Sequence, residues 1–294
     1  MKLLVTGGAG QVGFELRRAR LPVGWSLVAV DRDAFDIADR DAVFAAMARE
    51  RPDLVVNTAA YTAVDKAESE TQAAFAANAA APGYFAEACR DAGIPLIQFS
   101  TDYVFDGEKP GAYAEDDPVN PLGVYGKSKE QGERAVRATL AEHVILRTAW
   151  VYGAHGNNFV KTMLRLAAER PELRVVADQH GSPTAAADLA AAVIAIASRI
   201  AAGQGRWGTF HLTGAGATTW HGFAEAIVAL AAPHTGKAPP VRAIATADYP
   251  TPAHRPANSV LDCGRLAAAY GVAARPWHDA LAETVAELFG GPIP

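Results

Sequence analysis

The sequence is short of cysteine, of basic residues and of long apolar runs, and each shortage removes a class of function. Cys89 and Cys263 are the only thiols in 294 residues, with no C-x-x-C spacing and no histidine nearby. A metal centre or redox pair therefore has no basis, and buried thiols are expected. Lys plus Arg number 27 against 32 Asp plus Glu, a net charge of -5, with no basic run able to neutralise successive phosphates; no nucleic-acid partner is expected. The longest apolar run, Leu189 to Ala197, falls well short of the roughly 20 residues that cross a bilayer, so no membrane partner is expected. The opening MKLLV stops at Thr6-Gly7-Gly8, below the roughly 7–15 apolar residues of a secretory signal, and a cytoplasmic protein is expected.

What is present is ordinary for a globular protein: 50% hydrophobic residues and a mean hydropathy of +0.03. At roughly 100–200 residues per domain, the length allows two modest domains or one large one. Short, β-branched-rich and nearly continuous apolar stretches occur at 2–6, 26–30, 53–57, 95–100 and 143–148, the pattern of strands covered on both faces. Helix-length segments at 10–20, 39–51, 68–92 and 121–140 lie between them. This β-α alternation predicts an α/β fold with a doubly wound parallel sheet.

Beyond Trp150 the rhythm loosens. Helices are expected at 158–169, 184–202, 264–270 and 277–288, strands near 173–177 and at 208–212, and dense turn chemistry at 232–240 and 248–256. The 184–214 stretch reads as one more α-β unit able to rejoin the first sheet. The expected division is thus 1–150 with 184–214 as a dinucleotide-binding Rossmann domain. A smaller, interleaved domain of 151–183 and 215–294 would bind the substrate.

The first strand runs into Gly7-Gly8-Ala9-Gly10-Gln11-Val12-Gly13 and then a helix. Glycines at 7, 10 and 13 suit a tight turn, close approach of backbone to a pyrophosphate and close helix–sheet packing, and the helix N-terminus offers N–H groups to phosphate. Such a pattern alone is weak, but this one follows the first strand, and Asp31 ends the second strand about 20 residues on. Asp31 suits the ribose 2′-hydroxyl of NADH and Arg32 the 2′-phosphate of NADPH. Both cofactors stay open, with a slight lean to NADPH. Asp36 suits either the adenine side of that site or the role of a helix N-cap or solvated loop acid.

Tyr125 and Lys129, four apart, share one helix face. A nearby ammonium together with an oxidised nicotinamide would lower the phenol by ~2–3 units from about 10 and fit it for proton transfer to a carbonyl oxygen. Thr101, at the carboxyl end of the fourth strand, stands where such sheets bind ligands and where it can hydrogen-bond that carbonyl.

The stretches GGAGQVG, NTAAYTAVDKAE (57–68), STDYVFDG (100–107), NPLGVYGKSK (120–129), RTAWVYG (147–153), GNNFVKTML (156–164), DQHGSPT (178–184) and YPTPAHRPANS (249–259) are collinear over nearly the whole chain. Together they resemble the dTDP-4-dehydrorhamnose reductases, extended short-chain dehydrogenases/reductases. The resemblance implies NAD(P)H-dependent reduction of the C4 ketone of dTDP-4-dehydro-L-rhamnose, a step in making a sugar donor for surface polysaccharides. It implies Tyr125 as proton donor, Lys129 on the nicotinamide ribose and Thr101 at the carbonyl. It also implies Gly10, Gln11, Val12, Asp31, Asp36, Ile37, Ala60, Tyr61 and Thr62 as cofactor contacts. Thr101, Asp102 and Trp150 match sugar-nucleotide contacts, and Val64 and Arg255 are weaker ones, Arg255 because a guanidinium suits a pyrophosphate.

Some members of that family join into homodimers through Mg2+ held by carboxylates. Glu15 stands on the first helix, but Ala187 replaces an expected acid beside Asp188, so neither metal nor dimer is assigned. Two other readings stay open at the level of sequence. One is another nucleotide-sugar reductase or epimerase on the same frame. The other is a non-catalytic binding protein like the regulatory subunit of methionine adenosyltransferase, which an intact Tyr125, Lys129 and Thr101 argue against.

Overall fold

Adjacent residues of a strand face opposite sides of its sheet, and in the first strand, β1 (Lys2–Thr6), both sides are apolar: Leu3 and Val5 enter one core, Leu4 another. In the computed structural model, which describes residues 1–291, β1 lies inside a six-stranded parallel sheet. The others are β2 (Ser26–Val30), β3 (Leu54–Asn57), β4 (Leu96–Thr101), β5 (His143–Thr148) and β10 (Gly208–His211), in the order β10-β5-β4-β3-β1-β2. Every residue of β3, β4 and β5 is buried, which is why these strands read as unbroken apolar runs rather than alternating ones. The strand order reverses between β1 and β3, the place where doubly wound sheets open a ligand crevice.

Helices α1 (Gln11–Arg18) and α8 (Ala186–Ala201) cover one face through Leu16, Leu189, Val193 and Ile196. The other face is covered by α2 (Arg40–Glu50), α5 (Ala81–Ala92) and α6 (Val124–Thr139) through Val43, Phe85 and Val136. After α8 the chain adds β10 parallel to β5.

The continuous helix expected over 68–92 is instead broken. Short α3 (Val64–Ala67) and α4 (Thr71–Phe75) lead into a π-helical turn, Ala76–Ala80, and then α5. The π turn places Asn78, 1% exposed, where its side chain bonds the backbone of Tyr61 and the hydroxyl of Ser128. A buried amide with those partners offsets the poorer local geometry.

A second core gathers Tyr152, Met163, Phe223, Ile227, Trp277 and Leu281. It involves β6 (Val151–Tyr152), α7 (Phe159–Glu169), β7 (Leu173–Val176), α9 (Trp220–Thr235), β12 (Val241–Ile244) and α11 (Trp277–Leu288), with β7 and β12 paired in parallel. Short strands β8 (His180–Gly181), β9 (Thr184–Ala185) and β11 (Thr218–Thr219) pair locally. Neither α9 nor β12 was anticipated, because the turn-rich 232–240 stretch obscures both; the helix runs through Pro233 to its last turn. The helix is capped by Thr219, whose hydroxyl accepts from Gly222 N–H at 3.1 Å. Helix α10 (Gly264–Tyr270) packs Leu266 and Tyr270 into the sheet core rather than the second one. Cys89 is buried as expected, whereas Cys263 is only half-buried, against Thr213. Among the described residues no helix is long and apolar enough to cross a membrane.

Candidate active site

The turn after β1 packs on the segment after β3: Gly7 has φ +72°, and a Cβ there would lie 2.9 Å from Ala59 N. A Cβ on Gly13 would lie 2.1 Å from Gly7 O, so α1 can approach the turn this closely only without a side chain. Gly10 caps α1 with no side-chain bond, leaving the first N–H groups and the positive helix end for an anion. Gly13 thus shapes the turn from behind and does not line the cleft.

That turn forms one wall of a cleft of about 810 Å3. Gly7, Gly10, Gln11 and Val12 line its middle, with Ala60, Tyr61 and Thr62 from the segment after β3. Asp31, Arg32, Asp36 and Ile37 line it beyond β2. Asp36 accepts from Ala38 N–H, but the N-cap of α2 is Asp39, so the capping alternative for Asp36 is corrected. Tyr125 and Lys129 line it from α6. Sequence reasoning missed Phe35, Ser100, Thr148, Gly156 and Asn157 in the lining. The G-N-N run at 156–158 was the available signal, since Asn158 donates to the Gln11 side chain at 2.9 Å and so ties the loop after β6 to the glycine turn.

The cleft fits a dinucleotide: a close-packed glycine turn, a helix N-terminus, a carboxylate and a guanidinium beyond β2, and a long apolar wall. A nicotinamide dinucleotide bound there would rest its phosphates on Gly10–Val12 and its adenosine side toward Asp31, Arg32 and Ile37.

Helix α6 is drawn close to the site at both ends of its first turns. Val124 N–H donates to Glu68 Oε1 at 2.8 Å, and a Cβ on Gly126 would lie 2.1 Å from Tyr103 O. Lys129 is 4% exposed, and its Nζ donates to Phe99 O at 2.7 Å. Burial lowers the Lys129 ammonium to about 8, against an opposing pull from Glu133. Burial also pushes the Tyr125 phenol up to about 12, with the Thr101 hydroxyl pulling it down and Asp102 raising it. The direction is opposite to that expected from the sequence, because the phenol feels chiefly its own desolvation.

Thr101, Asp102, Val64, Trp150 and Arg255 stand outside this cleft. Thr101 donates to Asp102 Oδ1 at 2.9 Å and accepts from Tyr103 N–H. Asp102 is buried, its Oδ2 has no partner, and burial raises its carboxyl to about 6. Val64 opens α3. Trp150, at φ +50°, stacks on Trp220 at 3.7 Å between ring centres. Arg255 pairs with Asp65 at 2.9 Å, so the 249–259 segment is fastened to the segment after β3. The metal carboxylates do not fit: Glu15 pairs with Arg18 at 2.6 Å and Asp188 with Arg275 at 2.9 Å.

A parallel sheet with a dinucleotide-shaped cleft at its reversal point, lined from one helix by a half-buried tyrosine and a buried lysine, defines a Rossmann-fold oxidoreductase. The family described as the RmlD substrate binding domain matches residues 1–289. A dTDP-4-dehydrorhamnose reductase of Sinorhizobium fredii is 45% identical over 281 residues, 95% of each chain. The crystal structure of one from Clostridium acetobutylicum has a TM-score of 0.92 at 40% identity, covering 98% of this chain and 99% of that one. Another, from Bacillus anthracis in complex with NADP, has a TM-score of 0.89 at 34% identity, covering 97% and 99%. The chain belongs to the dTDP-4-dehydrorhamnose reductase family.

Proposed function

We propose that this chain reduces the C4 ketone of dTDP-4-dehydro-L-rhamnose to dTDP-L-rhamnose with NADPH or NADH. The observation that carries the reading is the pairing of family membership over 1–289 with an intact Tyr125–Lys129 face in a dinucleotide-shaped cleft. When bound, the reduced nicotinamide supplies the hydride. Tyr125 supplies the proton: a phenol raised to about 12 is fully protonated at neutral pH, and the ketone oxygen it donates to becomes more basic as hydride arrives and negative charge develops there. Lys129 stands on the same face as a cation beside the nicotinamide ribose and favours the phenolate left behind. Thr101 makes the second contact to the carbonyl by turning its hydroxyl proton away from Asp102 Oδ1, to which it donates at 2.9 Å.

The sugar nucleotide would lie over the carboxyl ends of β4 and β5, toward residues 151–183 and 215–294. Asp102, with one buried oxygen unpartnered, supplies an acceptor for a sugar hydroxyl. Arg255 supplies a cation for the pyrophosphate, and Trp150 and Val64 apolar wall. Arg32 beyond β2 makes the 2′-phosphate of NADPH acceptable, and Asp31 the free ribose of NADH. The protein would work in the cytoplasm, and a homodimer, if formed, would not use a carboxylate-held Mg2+.

The test is to mix purified protein with dTDP-4-dehydrorhamnose and NADPH and follow the absorbance of the reduced nicotinamide. Oxidation above a cofactor-only blank is expected. None at all would sink the reading and favour a non-catalytic binding protein.

A further inference from the structure

Three consecutive residues at the end of β4 meet three successive turns of α6. Phe99 O accepts from Lys129 Nζ at 2.7 Å. Ser100 Oγ donates to Glu133 Oε1 at 2.6 Å. The Thr101 hydroxyl acts on the Tyr125 phenol by pulling it down. Two of these three α6 residues belong to the reading above; Glu133 is not accounted for. It lies one helical turn beyond Lys129, is 1% exposed, and does not line the cleft, whereas its partner Ser100 does.

Glu133 also faces a buried cation. Arg147 on β5, 2% exposed, grips it with two bonds, Nε to Oε1 at 2.8 Å and Nη2 to Oε2 at 2.7 Å. Arg137, one turn further along α6, adds a bond of 2.9 Å to Oε2. Behind Arg147 lie His211 on β10, whose ring is 3.4 Å from Nη1, and the Glu115 carbonyl. His211 is pushed down to about 3 by burial and the Arg147 charge, and so is neutral. The Glu115 carboxylate accepts from His211 N–H and pairs with Arg265 of α10 at 3.4 Å, which also binds Asp116. Glu130 of α6, itself buried, pairs with the exposed Arg134 and lies 4.0 Å from Arg137. Lys129 itself faces Tyr125 and Glu133 on its own helix and only uncharged groups of β4.

A buried ion pair contributes little net stability compared with apolar residues of the same shape, so its presence beside the site calls for another account. We propose that Glu133 is a positioning residue for the Tyr125–Lys129 pair: its carboxylate ties α6 to the end of β4 and offsets the Arg147 guanidinium, so that Lys129 keeps its charge inside the cleft. The proposal rests on the reading of Lys129 as a working cation. Without Glu133, the one charge that favours the Lys129 ammonium would be gone, and Lys129, already lowered to about 8 by burial, would give up its proton at lower pH. Without Arg147, the Glu133 charge would act on Lys129 with less to offset it.

Removal of the two charges is therefore expected to move one property in opposite directions. In Glu133→Gln, which keeps the shape and the Ser100 contact, the alkaline limb of the kcat profile should fall by about one pH unit, a tenfold loss of turnover above both limbs. In Arg147→Met the limb should rise. The same shifts should appear in the titration of Lys129 followed by NMR in protein carrying 13C-labelled lysine, with the signal assigned by its loss in Lys129→Met. A structural role alone would lower turnover evenly across pH or move both variants the same way, and either result overturns the proposal, as would an unmoved Lys129 titration. Should Glu133→Gln fail to fold, the paired variant Glu133→Gln with Arg147→Met, which buries no lone charge, replaces it: its limb should lie between that of Arg147→Met and a lower bound one unit below the parent, and a limb at or above that of Arg147→Met overturns the proposal. Lys129→Met separates the two levels of inference. An alkaline limb that persists there overturns the reading of Lys129, whereas opposite shifts that fail in the other variants overturn only the role of Glu133.

Discussion

Around β1 the backbone makes the site. Gly7 and Gly13 shape a turn in which side chains have no room, and the N–H groups at the start of α1 face the cleft without help from any side chain. Around the second core, side chains make it: Trp150, at φ +50°, stacks on Trp220, and the 249–259 segment is joined to the segment after β3 by Arg255 on Asp65. Asp65 and Trp220 are each more than sixty residues from the partner they hold. A backbone site tolerates almost no change in residue type, and it leaves a dense local trace in the sequence. A site made of distant side-chain pairs tolerates gradual loss and leaves only scattered letters.

Substitutions can break or sharpen this contrast. The largest effect is expected where the two regions meet. Tyr125→Phe should lower turnover by on the order of 10²–10⁴ while the affinity for NADPH, measured by fluorescence, stays near that of the parent; turnover within a few-fold would remove Tyr125 from its role. The next concerns the buried carboxyl of Asp102, raised to about 6 when folded against about 4 unfolded. Folding therefore favours its protonated form, and that contribution is complete below about pH 4 and lost as pH rises through 6. Urea unfolding of Asp102→Asn should show a gain over the parent that grows by up to about 3 kcal/mol from pH 4 to pH 8; a constant difference would contradict the burial argument.

In the backbone-made region, Gly13→Ala places a methyl against Gly7 O. It should cost ~1–3 kcal/mol in unfolding free energy and weaken NADPH binding while the KM for the sugar nucleotide, where activity survives, changes little. In the side-chain-made region the pattern should invert. Trp220→Ala removes the support of Trp150 and should raise the KM for the sugar nucleotide roughly tenfold, about 1.4 kcal/mol, with NADPH affinity kept. If both substitutions changed both affinities equally, the two regions would not be separate in function.

Much of the sheet was legible because its strands are buried on both faces and its helices are long: β1, β2 and β5 fall on the expected residues. The π turn at Ala76–Ala80 was not, since it exists to bring Asn78 onto Tyr61 and Ser128, partners 17 and 50 residues away. Helix α9 was hidden by the turn-forming residues around Pro233. In the site, the glycine turn was readable from spacing, whereas Ser100 and Thr148 carry no local signature and enter only because strand ends converge on one cleft.

By itself the sequence determined the β-α alternation, the glycine turn and the shared face of Tyr125 and Lys129, because each rests on periodicity or backbone sterics acting within a few residues. Only the tertiary structure decided how those groups are charged. Burial raises Tyr125 and lowers Lys129, and Arg147 and Ser100 converge on Glu133 from two neighbouring strands. Desolvation and Coulomb interaction depend on distance through space, and in this fold residues far apart along the chain set both.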